Sequence, residues 1–148
     1  MLFKRRLDEM SLPDGLMKAK VNMVRGMAVC RTLDSTTGEY EITLPSAKGA
    51  EIYGFVTLRA DEAVYKISDY DNIKAGQRAV VYTLVPNAEW ATDQFTGTIA
   101  VGDKVTAGID GKLVKVETTD EGLVRTFEVI ATADAGAGYE KATITIKV

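Results

Sequence analysis

The side chains that most often carry out enzyme chemistry are scarce in this chain of 148 residues. It contains no histidine and a single cysteine, Cys30. Histidine is the usual general base and metal ligand at neutral pH, and it is the usual activator of a serine or cysteine nucleophile. The composition therefore excludes a Ser–His or Cys–His nucleophile and a zinc site of histidine and cysteine. Cys30 follows Val29 in an apolar segment, where we interpret it as a small buried hydrophobe.

Carboxylates are the remaining groups for acid–base or metal chemistry, and they cluster at three places. Residues 68–72 (SDYDN) have the oxygen density of a calcium loop, but the glycine and the glutamate of an EF-hand loop are missing. The adjacent pairs at residues 61–62 and 120–121 could act together only if both groups faced one substrate, whereas neighbours on a strand point to opposite faces. We interpret 68–72 as a solvated turn and 120–121 as a hairpin tip. We predict no catalytic residue, metal or cofactor.

Two further patterns resemble phosphate or nucleic-acid sites only superficially. Gly136 and Gly138 precede an alternating segment, whereas a phosphate loop needs Gly-Lys-Ser/Thr opening a helix, so we predict a turn. The aromatic residues could form a stacking platform for single strands, but such a platform needs interleaved basic residues, and the chain has a net charge of −3. We predict core and interface packing for them and no nucleic-acid partner. The residues concerned are Tyr53, Phe55, Tyr65, Tyr70 and Tyr82.

The composition also indicates which elements must position these side chains. Val, Ile and Thr together account for 40 residues and Leu for 10. β-Branched side chains fit a pleated sheet and are stiff in a helix, so we predict a mostly β protein. No apolar run reaches the roughly 18 residues of a membrane span, and the opening MLFKRR has no apolar stretch behind it, so we predict neither a membrane segment nor a signal peptide. The single cysteine fits synthesis in a reducing cytoplasm.

Short apolar runs separated by turn residues predict about eight strands. Residues 78–85 (RAVVYTLV) form the strongest strand, and residues 141–148 (KATITIKV) alternate to the C-terminus. Residues 34–38 (DSTTG) predict a hairpin turn, after which residues 40–44 alternate. We therefore predict an all-β domain, a small β-barrel or sandwich of about eight short strands with an N-terminal extended arm. The other predicted strands are residues 24–31, 52–58, 104–106, 113–117 and 125–132.

The N-terminal segment differs from the rest of the chain. Residues 1–22 carry five basic and three acidic side chains, although the whole chain is acidic. We predict an extended or short-helical arm at residues 1–20 and a β domain at residues 21–148, and we expect removal of the arm to leave the melting temperature nearly unchanged. Such arms bind partners by adding a strand to an exposed edge or by pairing with an acidic surface. A disordered terminus is the alternative.

Five segments of the β domain follow one another in a recognisable order. An apolar strand broken by a glycine spans residues 24–29, and an Ile-x-Gly-Phe-Val strand spans residues 52–56. An Ala-Gly-Gln-x-Ala-Val-Val-Tyr unit follows at residues 75–82, and a Val-Gly-Asp-x-Val … Gly-Lys-Leu unit follows at residues 101–113. A glycine-rich turn and an alternating strand end the chain at residues 136–148. This layout resembles that of the small capsid decoration, or cement, proteins of tailed bacteriophages.

The resemblance implies a structural virion protein that binds the outer face of an assembled capsid and stabilises it. The implied partner is the major capsid protein, the implied location is the capsid exterior, and the implied state is a homo-oligomer such as a trimer, without cofactor or membrane. Multivalent attachment would give avidity from weak single contacts. The arm and a loop at residues 86–95 are the expected contacts, with Trp90 alternatively in the core. The predicted capsid-binding residues are Leu2, Phe3, Lys4, Arg5, Arg6 and Trp90.

Two other functional classes remain open at this stage. One is a different virion subunit, such as a tail tube, a head–tail joining protein or the base of a head fibre. The other is a carbohydrate-binding or ligand-binding β module that would use Trp90 and the tyrosines.

Overall fold

The computed structural model describes residues 2–4, 13–14, 17–58, 72–136 and 141–148. These residues form strands and turns, which confirms the predicted all-β class, and none of their segments is a helix long and apolar enough to cross a membrane. The described strands are β1 (Leu2–Lys4), β2 (Pro13–Asp14), β3 (Lys18–Ala19), β4 (Met23–Val24), β5 (Ala28–Leu33), β6 (Tyr40–Thr43), β7 (Gly54–Leu58), β8 (Asn72–Ile73), β9 (Ala79–Thr83), β10 (Glu89–Thr92), β11 (Lys104–Ala107), β12 (Leu113–Lys115), β13 (Phe127–Ala133) and β14 (Thr143–Lys147).

The strands assemble into two six-stranded sheets and one two-stranded pair. The first sheet has the order β1-β10-β14-β13-β11-β12 and is antiparallel throughout. The second sheet has the order β2-β9-β7-β5-β6-β3, and its β3–β6 pair is parallel. Strands β4 and β8 form the separate antiparallel pair. The predicted sandwich-like architecture is therefore confirmed, with more and shorter strands than the eight expected.

The first core cluster joins the two sheets. Phe55 on β7 of the second sheet contacts Trp90 on β10 and Phe127 on β13 of the first sheet, with ring centroids 6.4 Å and 6.0 Å apart. Aliphatic residues of both sheets surround these rings, and they give up their contact with water at the centre of the sandwich. The buried members of this cluster are Ala28, Ile52, Phe55, Ala88, Trp90, Val105, Ala107, Leu113, Phe127, Val129, Ile144 and Ile146.

The second core cluster lies on the other face of the second sheet. Val56 belongs to it although the preceding residue, Phe55, belongs to the first cluster, because successive side chains of a strand point to opposite faces. The central strands of this sheet thus pack on both sides, which explains why residues 79–82 are apolar in succession instead of alternating with polar residues. The buried members are Met17, Ala19, Met23, Met27, Val29, Ile42, Val56, Ile73, Ala79 and Val81.

Two sequence-based assignments require correction. The strand predicted at residues 24–31 is two strands, β4 and β5, since the chain turns at Gly26 with a φ of 94°. The loop predicted at residues 86–95 contains strand β10, which pairs with β14. The polar character of this segment concealed the strand: Thr92 is fully buried, and its hydroxyl donates a hydrogen bond of 3.0 Å to the carbonyl oxygen of Gly26. Burial of a hydroxyl group costs little free energy when the group keeps a hydrogen bond.

Candidate partner-binding surface

The beginning of the predicted arm lies in the β structure of its own chain. Strand β1 adds to the edge of the first sheet, with Leu2 opposite Thr92 and Lys4 opposite Trp90. Strand β2 adds to β9 at the edge of the second sheet. The side chains of Leu2–Lys4 and the whole of residues 5 and 6 lie outside the described part of the structure. Their role as capsid anchors stays a prediction.

The end of the predicted arm packs in the second core cluster. Met17 and Ala19 are each 2% exposed. The backbone N–H of Ala19 donates a hydrogen bond to the carbonyl oxygen of Gln77, and β3 runs parallel to β6. These contacts tie residues 17–19 to strands that follow much later in the chain. The division of the chain at residue 20 stays a prediction, and the packing of Met17 provides its test.

The burial of Met17 changes the expectation from the sequence that deletion of residues 1–20 leaves the melting temperature nearly unchanged. We now expect deletion of residues 1–16 to have a much smaller effect on the melting temperature than deletion of residues 1–20. The shorter deletion leaves every described member of the second core cluster in place, whereas the longer one removes Met17 and Ala19 from it. Loss of a buried methionine costs about 2–5 kcal/mol, which corresponds to a melting temperature about 10 °C lower for the longer deletion. Thermal unfolding followed by circular dichroism measures both variants, with Met17→Ala in the full chain as the matched control. Equal melting temperatures for the two deletions would contradict the packing of Met17.

Trp90 is not exposed on a loop as predicted. Its side chain is 1% exposed and lies on β10, where its ring is 5.3 Å from that of Tyr82 and 6.4 Å from that of Phe55. The alternative that places Trp90 in the core is therefore the one that the structure supports. A side chain buried in this way cannot reach a partner unless the sheet opens, so we no longer include Trp90 among the partner contacts.

Of the carboxylates singled out from the sequence, Asp120 takes part in hydrogen bonds within the fold. Asp120 accepts hydrogen bonds from the Lys48 ammonium group and from the backbone N–H of Glu117, at 2.5 Å and 2.7 Å. These donors, the ammonium group first, hold the pKa of Asp120 below its usual value. Residues 61–62 and 68–71 lie outside the described residues. The described residues contain no group of three or more side chains placed to hold a metal ion.

Cys30 is half-buried and packs against the first core cluster. Its thiol donates a hydrogen bond of 3.2 Å to the carbonyl oxygen of Glu51. Burial, and secondly the negative charge of Glu51, raises the pKa of the Cys30 thiol. The group is therefore a protonated thiol at neutral pH, and a thiol is a poor nucleophile and a poor metal ligand.

An exposed patch occupies the outer part of the β5–β6 hairpin. Leu33 and Tyr40 lie directly opposite each other on the two strands and are 58% and 48% exposed. The guanidinium carbon of Arg31 lies 4.4 Å from the ring centroid of Tyr40 and 4.5 Å from that of Tyr53. We call these four residues, Arg31, Leu33, Tyr40 and Tyr53, the hairpin patch.

A cleft of about 520 Å³ adjoins the hairpin patch, and Arg31 and Tyr53 belong to its lining. Ile52 and Leu84 supply apolar surface in it. Glu51 and Arg125 form an ion pair on the wall of the cleft, with 2.5 Å between the guanidinium nitrogen and the carboxylate oxygen. The cleft therefore combines guanidinium groups with aliphatic and aromatic surface, which is the composition typical of protein interfaces.

The sequence analysis did not identify the hairpin patch. The available signal was the position of Leu33 and Tyr40, one residue before and two residues after the turn at residues 34–38. Once that turn is closed, the two side chains must lie on the same face of the hairpin. The stacking of Arg31 on Tyr53 could not be anticipated in this way, because Tyr53 lies outside the hairpin.

Comparison with known proteins finds a similar fold in the head fiber gp8.5 N base of bacteriophage phi29, for which a crystal structure exists. The TM-score is 0.53 and the sequence identity is 20%, and the similarity covers 100% of this chain and 94% of that chain. At this identity the similarity concerns the fold. No protein-family model matches the chain, and no curated protein matches it.

Proposed function

We propose that this chain is a structural protein of a bacteriophage virion that attaches to the outer surface of the capsid and stabilises it, as a decoration protein does. Its partner is the major capsid protein, and its place is the exterior of the virion. The observation that carries the proposal is the similarity of the whole fold to a phage head fiber base, which covers 100% of this chain. The layout of the sequence supports the same class of protein independently of the fold.

The base of a head fibre is the second candidate, and the fold similarity to the head fiber gp8.5 N base supports it specifically. The two candidates share attachment to the assembled head and differ in the consequence of attachment. A decoration protein raises the resistance of the shell to heat, because it bridges neighbouring subunits with many copies. A fibre base has to be anchored to the capsid, but it does not have to stabilise the shell.

A carbohydrate-binding module receives less support than it did from the sequence alone. Such a module needs exposed aromatic rings, and Trp90 is buried in the first core cluster. The exposed ring of Tyr40 has the guanidinium of Arg31 stacked on it, which occupies one of the faces on which a sugar would lie.

We expect the purified chain to co-sediment saturably with undecorated shells of the phage that encodes it. Shells from mature virions, whose sites are already occupied, are the control and should bind far less. A rise in the dissociation temperature of the decorated shells, measured by light scattering, distinguishes a decoration protein from a fibre base. Absence of co-sedimentation with undecorated shells would refute attachment to the capsid surface in both forms.

A further inference from the structure

The hairpin patch has the features of a docking surface. Six large hydrophobic residues are exposed within the described residues, and Leu33 and Tyr40 are two of them. Both lie on the same side of one hairpin. Val29 on β5 and Ile42 on β6 lie on the same face, farther from the turn, and are fully buried in the second core cluster. The apolar face of the hairpin thus continues beyond the core into solvent. Paired exposed hydrophobics of this kind mark interaction sites more often than isolated ones do.

The carboxylates near the hairpin patch have hydrogen-bond or ion-pair partners, whereas Arg31 has no ion pair within the described residues. Glu39 pairs with Lys18 at 3.9 Å, Glu51 pairs with Arg125, and the carboxylate of Asp34 accepts hydrogen bonds from Thr36 and Thr37 within its own turn. Each neighbouring carboxylate therefore has a donor of its own. Arg31, in contrast, forms no ion pair with any residue of the described ranges.

The rings of Tyr40 and Tyr53 hold the Arg31 guanidinium in position. Stacking on an aromatic face leaves the N–H groups at the guanidinium edge available, because these groups lie in the plane of the cation. An arginine ordered before binding loses less side-chain entropy when it pairs with a carboxylate. A partner that complements this surface therefore presents a carboxylate beside an apolar side chain.

We propose that the hairpin patch is the surface by which this chain docks onto a partner protein, and that the partner presents a carboxylate to Arg31 with an aliphatic side chain against Leu33 and Tyr40. The inference rests on the proposed function for the identity of the partner, which is the shell protein. The chemistry of the proposed contact rests on the hairpin patch alone. A nucleic acid does not fit, because one cation offers too few phosphate contacts for binding at physiological salt.

An array of decapeptides tests the chemistry without the shell. Each peptide carries one central Glu or Asp between aliphatic residues and has a twin with Gln or Asn in its place. We expect the purified full-length chain to prefer the acidic member by about tenfold, since one charge-assisted bidentate pair is worth about that factor. Arg31→Glu should abolish the preference, and Leu33→Ser should weaken binding of both members.

Lys74→Glu and Val101→Ser are the matched controls. Lys74 is exposed and lies on the turn after β8, and Val101 is exposed to a similar extent as Leu33, 61% against 58%. Both should bind the peptides as the wild type does. If the acidic and neutral peptides bind equally, or if the controls lose binding to the same extent as Arg31→Glu, the proposal is wrong. Binding to a glycan array that depends on Tyr40 would also overturn it, in favour of a sugar site.

The same variants on shells test the partner. When the wild type co-sediments, Arg31→Glu should reduce the affinity for shells by about tenfold or more. Unchanged affinity would place the contact elsewhere and leave the proposed function intact. Failure of the wild type to bind shells would refute the proposed function, while the peptide array would still decide whether the hairpin recognises acidic segments.

Discussion

Replacement of Trp90 by alanine is expected to lower the free energy of unfolding by about 4 kcal/mol, because it empties the largest side-chain volume of the first core cluster. Trp90 is 1% exposed and contacts the rings of Phe55 and Tyr82. Phe55 comes from the opposite sheet, so the substitution loosens the contact between the two layers. Since a single domain is stable by about 5–15 kcal/mol, a large part of the total is lost.

Urea unfolding followed by circular dichroism measures this loss. Trp90 is the only tryptophan, so its fluorescence in the wild type gives a second readout. The emission should be that of an apolar site, and acrylamide should quench it only after unfolding. Efficient acrylamide quenching of the native protein would show that Trp90 is exposed. If Trp90→Ala were as stable as the wild type, the place of Trp90 in the core would also be contradicted.

Trp90→Phe is the informative companion variant. The indole N–H of Trp90 has no hydrogen-bond partner within the described part of the chain. A buried donor without an acceptor costs about 1–3 kcal/mol, and phenylalanine removes that donor while it keeps most of the ring contacts. We therefore expect this variant to retain more than half of the stability that Trp90→Ala loses.

Replacement of Gly54 by alanine is expected to cost about 3 kcal/mol or more, which is at the upper end for a single added methyl group. Gly54 begins β7 and pairs with Thr83 on β9. A methyl group there would overlap the carbonyl oxygen of Tyr82 and lie 2.8 Å from its carbonyl carbon and 2.9 Å from Cγ1 of Val81. The obstructing atoms are mostly backbone, so no side-chain rotation relieves the clash, and β7 and β9 would have to separate.

Gly102→Ala separates this steric effect from backbone strain. Gly102 has a φ of 89° and open space around its missing side chain, so its substitution costs only the left-handed conformation, about 1–2 kcal/mol. Chemical unfolding of the two variants should rank Gly54→Ala as clearly the less stable. A Gly54→Ala protein within 0.5 kcal/mol of the wild type, which is roughly the range of neutral surface changes, would contradict the close approach of β7 to β9.

The local elements of the fold were predictable because their signals are local. The turn at residues 34–38 separates β5 from β6 as expected, with Gly38 at a φ of 72°. The alternation at residues 141–148 corresponds to β14, and the strand predicted at residues 78–85, which is apolar except for Arg78 and Thr83, contains β9. In each of these cases the residues that form the signal are neighbours in the sequence.

The candidate site was much less predictable. The arm drew attention by its charge, but the structure leaves the side chains of its predicted anchors outside the described residues. Trp90 was assigned to a loop because Pro86, Asn87 and the polar residues near it resemble one. What makes the segment a strand is its pairing with β14, more than fifty residues later. The hairpin patch needed Tyr53 from a separate segment before Arg31 acquired a defined position.

The sequence by itself determined the all-β class, most of the turns and the absence of histidine chemistry, because β-branched side chains, turn glycines and residue types act where they stand. Only the tertiary structure decided that Trp90 is core, that Gly54 must lack a side chain, and that Arg31 is held between two tyrosines with no ion pair to a carboxylate of the described residues. These properties depend on which distant strands meet and on which face each side chain then occupies. Strand pairing is set by the burial of both sheets at once, and no short stretch of the sequence contains that information.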